Sequence, residues 1–414
     1  MTIDDAALGT AQDTDGPKRY TDGTHRICSP EETLARLRPV TAQMGITRVA
    51  NVTGLDRVGI PVVTVARPNS RSVAVSQGKG LTLAAAKASG LMEAVELWHA
   101  EHITKPVKLA TCEEMRREHR VADPDRLPRA NGGDPGASLL WIEGIDLVGG
   151  GPVWLPFELV STNYTLPFPP GSGSFQASSN GLASGNHMLE AVCHGLCEVV
   201  ERDASTLWRL TGDARDRRAV DPSSVTDPQC RRLLDRFAAA DLAVRIWDTT
   251  SDVGVASFCC LVTERSGEFA DPEYGNGCHP AREVALARAL TEAAQARITY
   301  ITGARDDYPV DAWEPSRRRR RRDACGDVDA APAPAVPFDG VPSFTAPSLA
   351  GDLDWLLARL RAIGLDQVIA VDLSKQILGL PVVRIVVPGL EGANDEGSGY
   401  RPGVRARRLM GHTA

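Results

Sequence analysis

The sequence lacks the features that mark membrane proteins, secreted proteins and P-loop nucleotide sites. No apolar run approaches the roughly 20 residues that cross a bilayer. The start, MTIDDAALGTAQDTDGPKRY, has neither the basic nor the apolar segment of a secretory signal. We therefore expect a cytoplasmic protein that does not enter a membrane. No GxxxxGK[ST] motif occurs, which argues against an ordinary P-loop NTPase.

Zinc-type cysteine pairs are also missing. The chain has nine cysteines, an odd number, and none forms a CxxC pair. This usage is typical of reduced, buried thiols in a large cytosolic chain. Cys193 and Cys197 lie one helical turn apart in a CHxxC run. We interpret that run as core packing rather than as a metal site.

Positive charge is not in excess either. The 414 residues are 43% hydrophobic and carry a net charge of −7. This length is enough for one large domain or two smaller ones. A mildly acidic chain has no general attraction for nucleic acid or anionic membranes. An anionic ligand would need a local site, and we expect no nucleic-acid partner.

The order of patterns predicts an α/β chain (mixed α+β), with long helices that each follow a glycine turn. Residues 1–22 are polar and predict a disordered tail. Residues 23–69 predict a helix, with a Ser-x-x-Glu cap, and strands integrated with the core. Residues 70–402 form the main domain, in which the Arg- and Pro-rich stretch 305–345 is an exposed loop insertion. Residues 403–414 are a C-terminal tail.

Residues 184–205, ASGNHMLEAVCHGLCEVVERDA, predict a helix with an apolar side and an acidic side. The acidic side gathers six polar residues: Asn186, Glu190, His194, Glu198, Glu201 and Arg202. Like charges one turn apart weaken a helix by a few tenths of a kcal/mol per pair. Bound Mg²⁺ would offset that repulsion, because Mg²⁺ prefers carboxylates and phosphate oxygens. A solvated acidic stripe is the alternative for this helix alone.

Two more helices carry the same kind of narrow polar stripe. Their members recur at i, i+4 and i+7: Ser89, Glu93 and Glu96 in one, Arg288, Glu292 and Gln295 in the other. Both helices are otherwise rich in Ala and Leu, so the three stripes can converge on one pocket. Carboxylates there would hold metal, while Lys79, Arg202 and Arg288 would face phosphate oxygens. Asn180 and Asn186 would add neutral ligands or contacts to a base.

Four segments together resemble the YcaO family of ATP-dependent peptide-backbone modifying enzymes. They are SQGKGLTLAAAKASGLMEAVE, SSNGLASGNHMLEAVCHGLCEVVERDA, GCHPAREVALARALTEAAQARIT and LPVVRIVVPGLE. The resemblance covers roughly residues 70 to 400. It implies a YcaO-like fold, with long helices packed on β-sheets around an ATP and Mg²⁺ pocket. It also implies a homodimer.

The resemblance assigns roles to the residues of these motifs. The implied metal ligands are Glu93, Glu96, Glu190, Glu198 and Glu201. The implied nucleotide-binding residues are Lys79, Ser89, Asn186, Arg202, Arg288, Glu292 and Gln295. The implied catalytic residues are Glu198, Glu201, Arg202 and Arg288, through metal and arginine stabilisation of the phosphoryl group in flight. His194 is interpreted as a packed histidine.

Members of this family phosphorylate a peptide amide oxygen, which a nucleophile then replaces to give an azoline, a thioamide or an amidine. The chain ends RPGVRARRLMGHTA, without the PxPxP pattern of azoline-forming members. Its N-terminal part resembles members that act with a TfuA partner and form thioamides. We therefore expect thioamide formation in a ribosomally made precursor peptide, with a TfuA-like partner. The alternatives are azoline or amidine formation, or a non-catalytic ATP-binding accessory subunit.

Overall fold

The chain builds three antiparallel sheets and packs its long helices against them. A computed structural model describes residues 15–130, 136–265, 272–305, 310–325, 336–392 and 399–411. The helices are α1 (Pro30–Leu37), α2 (Leu83–Glu101), α3 (Cys112–Glu118), α4 (Met188–Leu210), α5 (Pro228–Ala239), α6 (Arg282–Thr302), α7 (Pro315–Cys325), α8 (Leu349–Ala362) and α9 (Val404–Leu409). No helix in these ranges is both long and apolar enough to cross a membrane.

The strands divide among the three sheets. They are β1 (Arg48–Asn51), β2 (Val62–Ala66), β3 (Val75–Lys79), β4 (Val107–Ala110), β5 (Leu139–Asp146), β6 (Pro152–Pro156), β7 (Leu182–Ser184), β8 (Ala219–Val220), β9 (Leu242–Asp248), β10 (Ser257–Glu264), β11 (Glu273–Cys278), β12 (Ile369–Asp372) and β13 (Val382–Val386). The sheet orders are β1-β2-β3, β11-β10-β9-β8 and β4-β5-β12-β13-β7, with β6 paired to β5. The prediction of a mixed α and β fold is confirmed.

Apolar packing joins the sheets into one framework around α4. The apolar side of α4, with Val192 and Leu196, packs against Ile385 of β13 and Leu353 of α8. Helix α4 also contacts β7 and β11. Helix α2 packs on the other face of the sheet that contains β13, so α2 and α4 flank it. This arrangement positions the polar stripes of both helices near the short edge strand β7.

Two cysteines of α4 take part in this packing. Cys193 and Cys197 are buried in the cluster that holds the apolar side of α4. Of the cysteines other than Cys325, all eight are free thiols, and seven of these eight are buried. The prediction that the CHxxC run serves the core is therefore confirmed.

In two places, a glycine allows a strand to approach a helix unusually closely. A Cβ added to Gly78 of β3 would lie 2.0 Å from the carbonyl oxygen of Ala86 in α2. A Cβ on Gly277 of β11 would lie 2.2 Å from the carbonyl oxygen of Ala285 in α6. Only glycine allows such contact. The polar residues of both strands consequently lie beside the polar stripes of α2 and α6.

The N-terminal segment differs from the predicted tail 1–22. Residues 1–14 lie outside the described ranges, but residues 15–22 pack against α8. Lys18 Nζ lies 2.6 Å from Asp352 Oδ2, and both side chains are almost completely buried. Helix α1 follows with the predicted cap, because Ser29 and Glu32 bond each other's backbone amides. A buried ion pair thus fixes a segment that its polar composition had assigned to solvent.

The arginine run also differs from the predicted loop 305–345. Residues Pro315–Cys325 form α7, which is consistent with the good helix propensity of arginine. Arg317 pairs with Asp311 at 2.8 Å, and Arg321 with Glu273 at 3.4 Å. Residues 306–309 and 326–335 of the predicted loop lie outside the described ranges.

The C-terminal segment, predicted as a tail over residues 403–414, contains α9 and is anchored on α4, while residues 412–414 lie outside the described ranges. Arg405 of α9 binds both oxygens of Asp203, at 2.9 and 3.0 Å. The Glu391 carboxylate accepts bonds from the backbone amides of Gly403 and Ala406, at 2.8 and 2.9 Å. These charge-assisted bonds hold α9 against the back of α4.

Candidate functional site

Helices α2, α4 and α6 bring their acidic stripes together in one cleft. Carboxylates from different helices lie close to each other in three pairs. In each pair, the charge of one carboxylate raises the pKa of the other. The pairs are Glu93 with Glu292, Glu96 with Glu198, and Glu201 with Glu292. We call Glu93, Glu96, Glu198, Glu201 and Glu292 the carboxylate cluster. The spatial convergence that the sequence analysis required is therefore present.

Helix α2 supplies Glu93 and Glu96 from successive turns. Glu96 Oε1 accepts hydrogen bonds from the backbone N–H and the hydroxyl of Ser184 in β7, at 2.8 and 2.7 Å. Burial raises the pKa of Glu96 to about 8. Glu93 accepts a bond from the backbone N–H of Gln77 at 3.4 Å, and burial raises its pKa as well. Both side chains are half-buried.

Helix α4 supplies Glu198 and Glu201. Burial raises the pKa of Glu198 to about 7, although the neighbouring Arg202 opposes the shift. Burial also raises the pKa of Glu201, and the charge of Glu292 adds to the effect. Within the described ranges Glu201 Oε2 is buried without a hydrogen-bond partner. A buried carboxylate oxygen without a partner is costly, and a nearby cation would lower that cost.

Helix α6 supplies Glu292, whose surroundings differ. Its carboxylate forms an ion pair with Lys79 of β3 and accepts the backbone N–H of Asn276 at 3.2 Å. Burial alone would raise the pKa of Glu292, but Lys79 and Arg202 more than offset it, so the pKa falls below its ordinary value. Glu292 is therefore the member of the cluster that stays ionised most readily. Lys79, which was predicted to face phosphate oxygens, thus contacts the Glu292 carboxylate.

Glu190 lies apart, in a smaller pocket at the start of α4. It is 2% exposed, accepts the backbone N–H of Ile27 at 3.1 Å and lies 3.6 Å from the Arg26 guanidinium. Asn186 donates to Thr33 at 2.9 Å and precedes the helix, which begins at Met188 rather than at residue 184. The two residues thus belong to a junction between α4 and the N-terminal segment.

His194 and Arg288 line the same small pocket. Arg288 Nη2 lies 3.2 Å from His194 Nε2. Burial lowers the pKa of His194 well below its usual range, and Arg288 lowers it further. A neutral imidazole that accepts a bond from arginine fits the interpretation of His194 as a packed, orienting residue.

Ser89 and Gln295 lie on the expected helices, one turn away from Glu93 and Glu292. Neither side chain hydrogen-bonds to the carboxylate cluster in the part of the chain that the structure describes. Arg202 lies near Glu198 and Glu292, since it lowers the pKa of both. The structure thus brings Lys79 and Arg202 to the cluster, and leaves Ser89 and Gln295 at its margin.

Unsatisfied polar atoms test whether ATP and Mg²⁺ would fit. Buried acceptors without a partner in the described ranges include Asn180 Oδ1, Asn186 Oδ1, Asn276 Oδ1 and Glu201 Oε2. Buried donors in the same condition include Arg288 Nε and two nitrogens of Arg384. Native proteins seldom leave such groups unpaired. A ligand with both cations and anionic oxygens would satisfy both sets, so the residues fit a metal–nucleotide complex.

A second group with metal-ligand chemistry lies beside the small pocket. One atom each of His25, His279 and Asp352 lies within 4.8 Å of the others. However, Lys18 already pairs with the Asp352 carboxylate at 2.6 Å. A divalent ion would have to share that carboxylate with an ammonium group, so the carboxylate cluster is the better metal site.

Sequence reasoning missed several residues at the cleft. Ser184, Asn276 and Arg384 come from strands β7, β11 and β13, which lie far apart in the sequence. Arg384 could have been found as the single charged residue in LPVVRIVV, because charged residues are rare in strands of this buried type. Arg26 lies in the N-terminal segment, outside the three polar stripes from which the site was predicted.

Residues 77–391 match the family described as YcaO cyclodehydratase, which binds ATP and Mg²⁺. The chain belongs to the YcaO family. An uncharacterised protein in the tfuA 3′ region of Rhizobium leguminosarum bv. trifolii is 35% identical over 390 residues, 92% of either chain. An uncharacterised protein of Methanothermobacter thermautotrophicus is 36% identical over 370 residues, 87% of this chain and 94% of that one.

Solved structures share the YcaO fold. YcaO from Methanopyrus kandleri, bound with AMPPCP and Mg²⁺, matches with a TM-score of 0.74 and 26% identity, over 92% of this chain and 99% of that one. A heterocyclase in complex with substrate and cofactor matches with a TM-score of 0.77 and 22% identity, over 99% of this chain. The match spans only 58% of that heterocyclase, and it concerns the fold alone. The predicted cofactors, ATP and Mg²⁺, are those of the family.

Proposed function

We propose that this protein is a cytoplasmic, ATP- and Mg²⁺-dependent enzyme that converts a backbone amide of a ribosomally made peptide into a thioamide. The observation that carries the proposal is the carboxylate cluster, which gathers buried acidic side chains from three helices. One of them, Glu201, retains an oxygen without a partner in the described ranges. Cations stabilise such an arrangement when its carboxylates are ionised.

The reaction must overcome amide resonance, which makes the amide oxygen a poor leaving group. Bound Mg·ATP supplies the phosphoryl group that turns this oxygen into a leaving group. A hydrosulfide nucleophile forms the new carbon–sulfur bond, and the oxygen departs as phosphate. Amide, ATP and hydrosulfide thus give thioamide, ADP and phosphate, with no oxidation or reduction.

Metal binding is proposed for the acidic residues of α2 and α4. Glu93, Glu96, Glu198 and Glu201 point into the cleft with pKa values raised by burial, so each gains from a neighbouring cation. Glu190 remains a proposed ligand, although its present contacts with Arg26 and Ile27 hold the N-terminal segment in place.

Nucleotide binding is proposed for the basic and amide residues around the cluster. Arg202 and Arg288 would stabilise charge on the phosphoryl group, and together with Glu198 and Glu201 they form the proposed catalytic set. The Lys79–Glu292 pair would orient the phosphates, since the ammonium group can be shared between carboxylate and phosphate. Asn186 would contact the nucleotide through its unpartnered oxygen, with Ser89 and Gln295 at the edge.

The choice of thioamide rests on the relative in the tfuA 3′ region. Its position beside tfuA supports a TfuA-like partner for this chain as well. The other proposed partners are a precursor peptide and a second copy of the chain. Azoline formation is the second candidate, favoured by the family's description as cyclodehydratases. A purely accessory role is disfavoured, because a binding subunit would not need the complete cluster.

The mass of the peptide product tests the proposal. The protein, a TfuA-like partner, ATP, Mg²⁺ and sulfide are incubated with a precursor peptide encoded beside the gene. Thioamide formation adds about 16 Da through exchange of the amide oxygen for sulfur, whereas cyclodehydration removes about 18 Da. Glu198→Gln serves as the inactive control. An unchanged peptide with every component present would contradict both candidates.

A further inference from the structure

Arg384, in the middle of β13, is a buried arginine with free hydrogen-bonding capacity. Its side chain is 2% exposed. Nη2 donates to the carbonyl oxygen of Ser178 at 2.7 Å. Nε and Nη1 are buried and have no partner in the part of the chain that the structure describes. No described carboxylate lies within ion-pair distance of the guanidinium.

Strand register places Arg384 beside the carboxylate cluster. Arg384 is directly opposite Leu182, and Val382 is directly opposite Ser184. Because directly opposed residues and those two apart share a face of the sheet, Arg384 and Ser184 extend to the same side. Ser184 is the residue that holds the Glu96 carboxylate. The guanidinium therefore lies at the wall of the cleft, next to α2.

Its electrostatic surroundings agree with that position. Arg384 lowers the pKa of Glu198, while Tyr164 and, to a smaller extent, Glu198 raise the pKa of Arg384. Burial is the larger influence and lowers the pKa of Arg384 to about 10, so the side chain is still charged at neutral pH. Arg384 and Glu198 are thus close enough to influence each other electrostatically, and no direct bond joins them among the described residues.

A buried guanidinium without a counter-ion lowers the stability of the folded chain. Its planar set of donors suits the oxygens of a phosphate group better than any single carbonyl. We propose that Arg384 binds a phosphoryl oxygen in the cleft, either of the nucleotide or of the phosphoryl group once it is on the amide. This inference rests on the proposed function, since it assumes that phosphoryl transfer occurs beside the cluster.

A purely structural arginine would behave differently. If Arg384 served only to hold Ser178, its removal would lower the melting temperature and leave ligand affinity unchanged. If Arg384 waits for an anion, an apolar replacement relieves an unpaired buried charge. The melting temperature of the ligand-free protein then stays the same or rises, while affinity for the anion falls. Stability and affinity therefore change in opposite directions.

The test uses Arg384→Met and Arg384→Gln, with Arg384→Lys as the variant that keeps the charge. Arg359→Met is the matched control, because Arg359 Nε donates to the carbonyl oxygen of Val253 on α8's side of the molecule. Melting temperatures are measured without ligand. Calorimetry then follows two titrations: Mg·AMPPCP into the free protein, and inorganic phosphate into the protein saturated with Mg·ADP.

We expect Arg384→Met and Arg384→Gln to lose about tenfold or more in one titration, as for a lost charged hydrogen bond. Arg384→Lys retains part of that affinity, and Arg359→Met retains all of it. A loss with Mg·AMPPCP assigns Arg384 to the nucleotide. A loss confined to phosphate assigns it to the transferred group.

Two results overturn the inference. One is affinity within about twofold of wild type in both titrations, or unchanged Mg·AMPPCP binding when wild type binds no phosphate. The other is a fall in melting temperature for both neutral variants without any loss of affinity. Failure of wild type to bind Mg·AMPPCP is a separate result, because it removes the proposed function itself and this inference with it.

Discussion

Two buried carboxylates on adjacent parts of α4 have opposite surroundings. Asp203, with 0% exposure, accepts two bonds from Arg405 and one from the backbone N–H of Glu391 at 2.9 Å. Glu201, with 3% exposure, faces the cleft and has an oxygen without a partner in the described ranges. They are two residues apart and point to different sides of the helix. Asp203 fastens the C-terminal helix, whereas Glu201 belongs to the carboxylate cluster.

The pKa alone would not separate the two residues. Burial is the largest influence on both, and it raises the pKa of both carboxyl groups. What differs is the count of hydrogen bonds, which is complete at Asp203 and incomplete at Glu201. A buried acid therefore indicates a ligand site when its acceptors are left over, and a structural joint when they are used.

Asp203→Ala should produce the largest loss of stability on this helix. It leaves the guanidinium of Arg405 partly buried with only Asp252 as a partner, and it frees the amide of Glu391. We expect a loss of about 3 kcal/mol in the free energy of unfolding. Denaturant titration measures it, with the exposed Asp235→Ala as the control. A loss below about 1 kcal/mol would remove the distinction drawn between the two acids.

Glu201→Gln should give the opposite result. It removes a charge that repels Glu292, so we expect stability to stay the same or to rise by up to about 1 kcal/mol. The affinity for Mg·AMPPCP should fall about 100-fold, because a neutral amide is a poor Mg²⁺ ligand. Calorimetry and denaturant titration are run on the same sample. Stability lost to the same extent as in Asp203→Ala would mark Glu201 as a structural residue.

The local parts of this arrangement were predictable from the sequence. Helical spacing is set within one segment, so the stripes on α2, α4 and α6 could be assigned from the 3.6-residue period. The start of α4 was placed too early, because His187 caps the helix through the amide of Leu189 and leaves Asn186 in the lead-in. The arginine run was assigned to a loop because of its charge and the neighbouring Ala-Pro tract, but it forms α7, in keeping with the good helix propensity of arginine.

The non-local parts could not be predicted. Ser184 reaches Glu96, and Arg384 reaches the cleft, because β7 pairs with β13 from a distant part of the sequence. Both residues stand in short strands with no polar periodicity. The same limit applies to Lys18 and Arg405, whose buried partners Asp352 and Asp203 lie far along the chain. The positions of these residues depend on contacts between distant segments, which the sequence of one segment does not indicate.

The dependence on pH should be a smaller effect that sharpens the comparison. The pKa of Glu96 rises from 4.5 to about 8 on burial. The folded state then holds its proton more tightly than the unfolded chain does. Stability from this group is fully present below about pH 4.5 and is lost as pH rises towards 8. Melting temperature without Mg²⁺ should therefore decline over this range.

Glu96→Gln cannot titrate, so its melting temperature should decline less over the same range. Saturating Mg²⁺ and AMPPCP should also flatten the profile of the wild type, since a bound cation favours the ionised carboxylate. Equal slopes for wild type and Glu96→Gln without Mg²⁺ would show that Glu96 is ionised in the free protein.

We propose that the acidic stripes of three helices enclose cations that bind a nucleotide. Crystals grown with AMPPCP and Mn²⁺ in place of Mg²⁺ would locate the ions directly by anomalous scattering. We expect Mn²⁺ within bonding distance of carboxylate oxygens from Glu93, Glu96, Glu198 or Glu201, with the phosphates towards Arg202 and Arg288. Mn²⁺ peaks elsewhere, or a nucleotide bound away from these side chains, would contradict the account.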